Sequence, residues 1–86
     1  MKIFHSDPEI YKLLAKAYSL NGREVLQYES LAESFYYSYD LQEAIVQMDM
    51  ATRARDGNFY EKSRVEARLK QLQREKEIYE ISKANL

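Results

Sequence analysis

The sequence predicts an all-α fold: four helices in an antiparallel hairpin array, the last one long. Three observations predict it. Apolar residues recur at helical spacing through nearly the whole chain. The chain has only two Gly and one Pro, and they stand at the ends of the periodic stretches, at Pro8, Gly22 and Gly57. In the stretch from Val25 to Ala51, small Ala32, Ala44 and Ala51 are set among large Tyr28, Leu31, Phe35 and Met48, on either side of the break Ser38-Tyr39-Asp40. Small residues let two helix backbones approach while large ones fill the space between them, which is the pattern of a tight helical hairpin.

The elements follow in order. Residues 1–6 form a lead-in without periodicity, and residues 7–86 the helical domain. Asp7-Pro8 opens helix 1 over about 8–20, Asp as N-cap and Pro at a position where its missing N–H costs nothing. Ile10, Tyr11, Leu13, Leu14, Ala17 and Tyr18 give this helix a wide apolar face, and Asn21-Gly22 ends it. Helix 2 covers about 23–37, with Val25, Tyr28, Leu31, Ala32 and Phe35 facing inward. Asp40 with Glu43 forms a capping box for helix 3 over about 41–55, which buries Leu41, Ala44, Ile45, Met48 and Ala51 and stops at Asp56-Gly57. Asn58 with Glu61 opens helix 4 over about 59–82, roughly 37 Å of helix against roughly 21 Å for its neighbours. Val65, Leu69, Leu72 and Tyr79 lie close to one stripe, interrupted by Lys76. Beyond Leu72 the shorter helices offer little to pack on, so the end is expected to fray, kink or dock elsewhere.

Bulk properties narrow the function. At 10.2 kDa a folded chain buries roughly 64% of its unfolded surface, enough for one modest core and no deep cleft. There is no cysteine, which excludes a disulfide and a Cys-based zinc site. No apolar run approaches the ~20 residues of a membrane span, and the start, MKIFHSDPEI, lacks the apolar segment of a secretory signal. The net charge of -1 hides an asymmetry: residues 1–52 are acidic, residues 53–86 basic, and no Lys or Arg occurs from Glu24 to Thr52. Complementary faces of one small domain are the favoured reading, ahead of an acidic groove and a basic outer helix serving different partners.

The Val25–Ala51 stretch also fits a helix–turn–helix repeat of about 34 residues. Tyr28, the Leu31-Ala32 pair, Phe35, Ala44, Met48 and Ala51 occupy its bulky, small and aromatic positions. Helix 1 repeats the first half, with Tyr11, Leu14, Ala15, Tyr18 and then Gly22, but Gln27, Leu31 and Ser34 do not continue it. The reading is therefore one complete tetratricopeptide-like (TPR-like) repeat, a degenerate half before it and a long capping helix. Tyr39 departs from the pattern, since the repeat usually has Gly at that turn; either Tyr39 holds a strained positive φ or the turn takes another shape.

The succession LLAKAY, LAE, YDLQEAI and FYEKSRVEARLKQLQ covers about residues 11–74. It resembles the C-terminal end of the beta-barrel assembly-enhancing protease family, periplasmic zinc metalloproteases with tetratricopeptide repeats. The run Val65-Glu66-Ala67-Arg68-Leu69 is its most distinctive part. The resemblance implies a bacterial envelope protein whose protease domain holds zinc in a His-Glu-x-x-His helix. It implies a repeat domain that contacts that protease domain, the outer-membrane β-barrel assembly machinery and unfolded barrel substrates. The only histidine here, His5, stands outside any such motif, so no catalytic residue, metal ligand or cofactor carries over to this chain.

A lone His5 is read as ordinary surface, not a ligand. Glu29 and Glu33, one turn apart, are solvated surface in preference to a catalytic pair. Tyr11, Tyr18 and Tyr28 fall on inner stripes. Tyr36 and Tyr37 follow Phe35 and cannot all face inward. In a tetratricopeptide arrangement Glu29, Glu33, Tyr36 and Tyr37 fall near the concave face, as a candidate surface for a peptide or unfolded segment; packing against a neighbour absent from the sequence is equally open. Leu69, Leu72 and Tyr79 are the candidate docking surface of the last helix. Arg64, Arg68, Lys70 and Arg74 alternate with acids, which disfavours nucleic acid.

The expected function is thus a non-catalytic protein–protein interaction domain of an envelope metalloprotease, periplasmic on the resemblance and otherwise cytoplasmic. The alternatives are a free-standing helical module that forms homo-oligomers through helix 4, and a repeat-type secretion chaperone.

Overall fold

The computed structural model describes residues 7–84, so the lead-in 1–6, with His5, lies outside the described residues. The architecture is all-α: α1 (Pro8–Leu20), α2 (Glu24–Tyr37), α3 (Leu41–Arg53) and α4 (Phe59–Ala84). They form a helical hairpin array in which each helix packs on the next, and α4 also touches α2.

The core lies between α2, α3 and the first half of α4. Val25, Ala32, Ala44, Met48, Ala51, Val65 and Leu72 are fully enclosed, with Tyr28, Phe35, Leu41, Ile45 and Leu69 packed against them. Ala32, Ala44 and Ala51 sit where α2 and α3 approach, and Met48 and Leu72 supply the volume. The α1–α2 seam also uses small residues: Ala15, Ser30 and Ser34 are buried there, and the Ser34 hydroxyl donates to the Pro8 carbonyl at 2.8 Å. The wide apolar face of α1 is only partly covered. Leu13, Leu14 and Ala17 are exposed, because among the described residues α1 packs on α2 alone.

The first two turns share one geometry. In α1, the Gly22 and Arg23 N–H groups donate to Ser19 and Tyr18 carbonyls at 3.1 and 2.9 Å, with Gly22 at φ +68°. In α2, the Tyr39 and Asp40 N–H groups donate to Tyr36 and Phe35 carbonyls at 3.1 and 2.9 Å, with Tyr39 at φ +66°. Both are Schellman closures with a left-handed residue just past the helix. Of the two alternatives open at this turn, a left-handed Tyr39 or another turn shape, the structure has the left-handed, strained tyrosine. Because the Asp40 N–H is committed to Phe35, the capping box of α3 is one-sided: Asp40 Oδ1 accepts from Glu43 N–H at 3.1 Å, and the Glu43 carboxylate turns to Gln47 at 2.9 Å.

The third turn does more than end α3. That helix stops at Arg53, two residues before the expected end, and Ala54 is extended. The early stop lets Asp56 reach α2, whose own N-cap, Arg23, has no capping side chain. Asp56 accepts from the Glu24 N–H at 2.8 Å and the Val25 N–H at 3.0 Å. One carboxylate thus satisfies two of the orphan donors of a helix remote in sequence. Lys62 closes the other side, donating to the Ala54 carbonyl and, at 3.2 Å, to that of Thr52. Gly57 is required here twice over: its φ is +101°, and a Cβ would stand 2.8 Å from Val25 Cγ2. Asn58 and Glu61 then make a full capping box at 2.8 and 3.3 Å.

Candidate functional site

Two features of the α2–α4 face decide what the candidate residues do. The first is a ladder of ion pairs. Arg64 donates to Glu29 through Nε and Nη2 at 2.7 and 2.8 Å, and Arg68 donates to Glu33 in the same forked way at 2.8 and 3.0 Å. The i, i+4 spacing of both acids on α2 matches that of both arginines on α4, which brings the acidic half of the chain against the basic half. Each hydrogen-bonded carboxylate pushes its arginine's pKa further up. The Glu33–Arg68 pair is the more enclosed, with side chains 15% and 21% exposed, while Arg64 is 51% exposed.

The second feature is aromatic. Tyr11 of α1 stacks on Tyr37 at 5.8 Å and 9° between planes, and Tyr36 meets Tyr37 edge-on at 5.0 Å. The Arg68 guanidinium lies 4.7 Å from the Tyr36 ring centre. The Tyr36 hydroxyl donates to both Glu75 carboxylate oxygens at 3.0 and 3.1 Å. That bond, then burial, raises the Tyr36 pKa above its ordinary value; burial first and the Glu33 charge next raise that of Tyr11. Beyond this column an open groove of about 910 Å³ runs between the α2–α3 turn and the second half of α4, lined by Tyr36, Tyr37, Tyr39, Leu41, Glu75 and Tyr79 among others.

The structure sorts the candidate residues. Glu29 and Glu33 face α4 and are held there by arginine. Tyr36, Tyr37 and Tyr79, drawn from two separate candidate surfaces, come together in one groove. Leu72 is wholly enclosed in the domain's own core and Leu69 packs against it, which leaves Tyr79, 61% exposed, as the outward member of that set. Sequence reasoning missed Tyr39, Asp40, Leu41, Gln42 and Glu75 as parts of this groove. The available signal was that Glu75 lies seven residues, or two helical turns, past Arg68 on the same face of α4.

Among the described residues no cluster of His, Cys, Asp and Glu could hold a metal ion. Among the same residues no helix is long and apolar enough to cross a membrane. No family model, curated protein or solved structure matches the chain.

Proposed function

We propose that this chain is a non-catalytic, tetratricopeptide-like protein-binding domain belonging to an envelope metalloprotease. The observation that carries the binding part is the tyrosine-lined groove, since exposed aromatics on a rigid helical frame supply large contact area at low entropic cost. The enclosed Ala32, Ala44 and Ala51 between Tyr28, Phe35 and Met48 support the repeat reading. Apolar side chains exposed on both outer helices, Leu13 and Leu20 on α1 and Ile78 and Ile81 on α4, fit a unit with further helices packed at its ends.

On this reading the zinc belongs to a protease domain outside these residues. The partners are that domain, the outer-membrane β-barrel assembly machinery and unfolded barrel segments, and the location is the periplasm. The flanking coding sequence tests the protease part: an export signal and a His-Glu-x-x-His motif are expected in frame, and a reading frame without them overturns it. Photo-crosslinking tests the binding part. A probe in place of Gln42 should capture a partner that a probe at Lys70 does not, and equal capture at both positions overturns the groove as the binding surface.

A second reading, a helical oligomerisation module, draws on Ile78, Tyr79 and Ile81, each about 60% exposed on one end of α4. It requires association in sedimentation that is lost in the double variant Ile78→Glu, Ile81→Glu.

A further inference from the structure

The ladder between α2 and α4 ends on a carboxylate that no cation pairs with among the described residues. Its first two rungs are Glu29–Arg64 and Glu33–Arg68. At the next position the polarity reverses: α2 presents the Tyr36 hydroxyl and α4 presents Glu75. Arg68 is close by, over the Tyr36 ring, but each of its three nitrogens already donates elsewhere, Nε and Nη2 to Glu33 and Nη1 to Gln71, and no ion pair joins it to Glu75 among the described residues. The neighbours of Glu75 one turn away on α4 are Gln71, Leu72, Ile78 and Tyr79, none of them basic. Among the described residues Glu75 takes part in no ion pair. Asp40, the second acid of the groove, spends one oxygen on capping α3 and likewise forms no ion pair among the described residues.

The groove therefore combines two carboxylates with four tyrosines, Tyr36, Tyr37, Tyr39 and Tyr79, and no Lys or Arg is among the described residues that line it. Its tyrosine faces already attract cations: Arg68 rides over Tyr36, and Lys83 sits 5.8 Å from the Tyr79 ring centre. An ionised carboxylate offers about four lone-pair sites, and the single Tyr36 hydroxyl leaves acceptor capacity on both oxygens of Glu75.

We propose that this groove binds an arginine side chain of a partner peptide, with Glu75 as its principal counter-charge and the tyrosine rings as its walls. The inference rests on the protein-binding reading and names the chemistry of the bound segment. Guanidinium fits better than ammonium because it is planar, stacks on aromatic faces and presents a fork of donors to a carboxylate. A peptide fits better than a small free cation because the groove is far larger than a guanidinium, and Leu41 adds an apolar surface for flanking residues.

Titration of the isotope-labelled chain with acetyl-Ala-Leu-Arg-Leu-Ala-amide, read by amide NMR shifts, tests it. Saturable shifts are expected at residues 36–42 and 75–79, weakening as salt is raised. The same peptide with Gln in place of Arg should bind at least about tenfold more weakly. Glu75→Gln keeps an acceptor for Tyr36 and should weaken the Arg peptide by a similar factor, with the thermal midpoint unchanged. Tyr79→Ala, at an exposed position, should weaken it as well. Equal binding of the Arg and Gln peptides at these residues overturns the cation and leaves the protein-binding reading standing. Ethylguanidinium binding as tightly as the Arg peptide overturns the peptide in favour of a small-cation site. Shifts at the same residues on concentrating the chain alone point to a second copy and overturn it too. No shift at the groove from either peptide overturns the inference outright, while crosslinking at Gln42 judges the broader reading independently.

Discussion

The two halves of α4 belong to one uninterrupted helix of 26 residues but live in different environments. The first half, through Leu72, is locked on both sides. Val65 and Leu72 are enclosed, Leu69 packs on them, Lys62 closes the end of α3, and Arg64 and Arg68 reach α2. In the second half Ile78, Tyr79 and Ile81 stand about 60% exposed, and the ion pair is local, Lys76 with Glu80 at 3.7 Å. Length explains the split: α3 has 13 residues, half as many as α4, so the second half extends past the helix beneath it. It is helical from propensity, in a run rich in Glu, Lys, Gln and Arg, and not from burial. The difference separates tasks: the first half holds the fold together, and the second half supplies one wall of the groove.

The largest expected effect comes from breaking the first half. Leu72→Ala should lower unfolding stability by about 2–5 kcal/mol, because a fully enclosed leucine leaves a cavity. Ile78→Ala and Ile81→Ala should change it by less than about 0.5 kcal/mol, as exposed substitutions do. Denaturant unfolding of the three variants checks this, and a comparable loss at Ile78 would mean that the second half is packed in solution. The second effect lies in the ladder. A double-mutant cycle of Glu33→Gln and Arg68→Met should give a coupling of about 1–3 kcal/mol, since the pair is forked and mostly enclosed. The exposed Lys76–Glu80 pair, treated likewise, should give about 0.5 kcal/mol or less.

The packed part of this comparison was legible in the sequence and the other part only in outline. Helical periodicity and small–large alternation pointed to Ala32, Ala44, Met48 and Ala51 because each depends on its near neighbours. The same logic goes no further than the face itself at α1: a stripe records that a face is apolar but not whether anything lies on it, and Leu13 and Leu14 are exposed. The excess length of α4 foretold an end with little to pack on, and Tyr79 and Ile81 are indeed exposed. What stayed hidden was long-range. Asp56 read as a turn residue, and its bonds to Glu24 and Val25 exist only once α3 and α4 bring the turn to α2. Glu29 and Glu33 read as free surface because their arginines lie 35 residues away.

The smallest expected effect concerns Tyr39, which faces the second half of α4 across the groove and is 96% exposed. It holds the left-handed conformation that Gly22 holds at the equivalent turn, φ +66° against +68°. Relieving a left-handed non-glycine residue is worth about 1–2 kcal/mol. Glycine's greater loss of freedom on folding offsets about 0.5–1 kcal/mol of that. Tyr39→Gly should therefore raise stability by about 0.5–1 kcal/mol, seen as a higher denaturant midpoint at unchanged slope. Destabilisation instead would show that the ring packs against the groove strongly enough to offset its own strain. If stability rises while binding of the arginine peptide falls, the strained tyrosine serves the groove and not the fold. The unpacked side of the molecule would then be where this chain gives up stability for recognition.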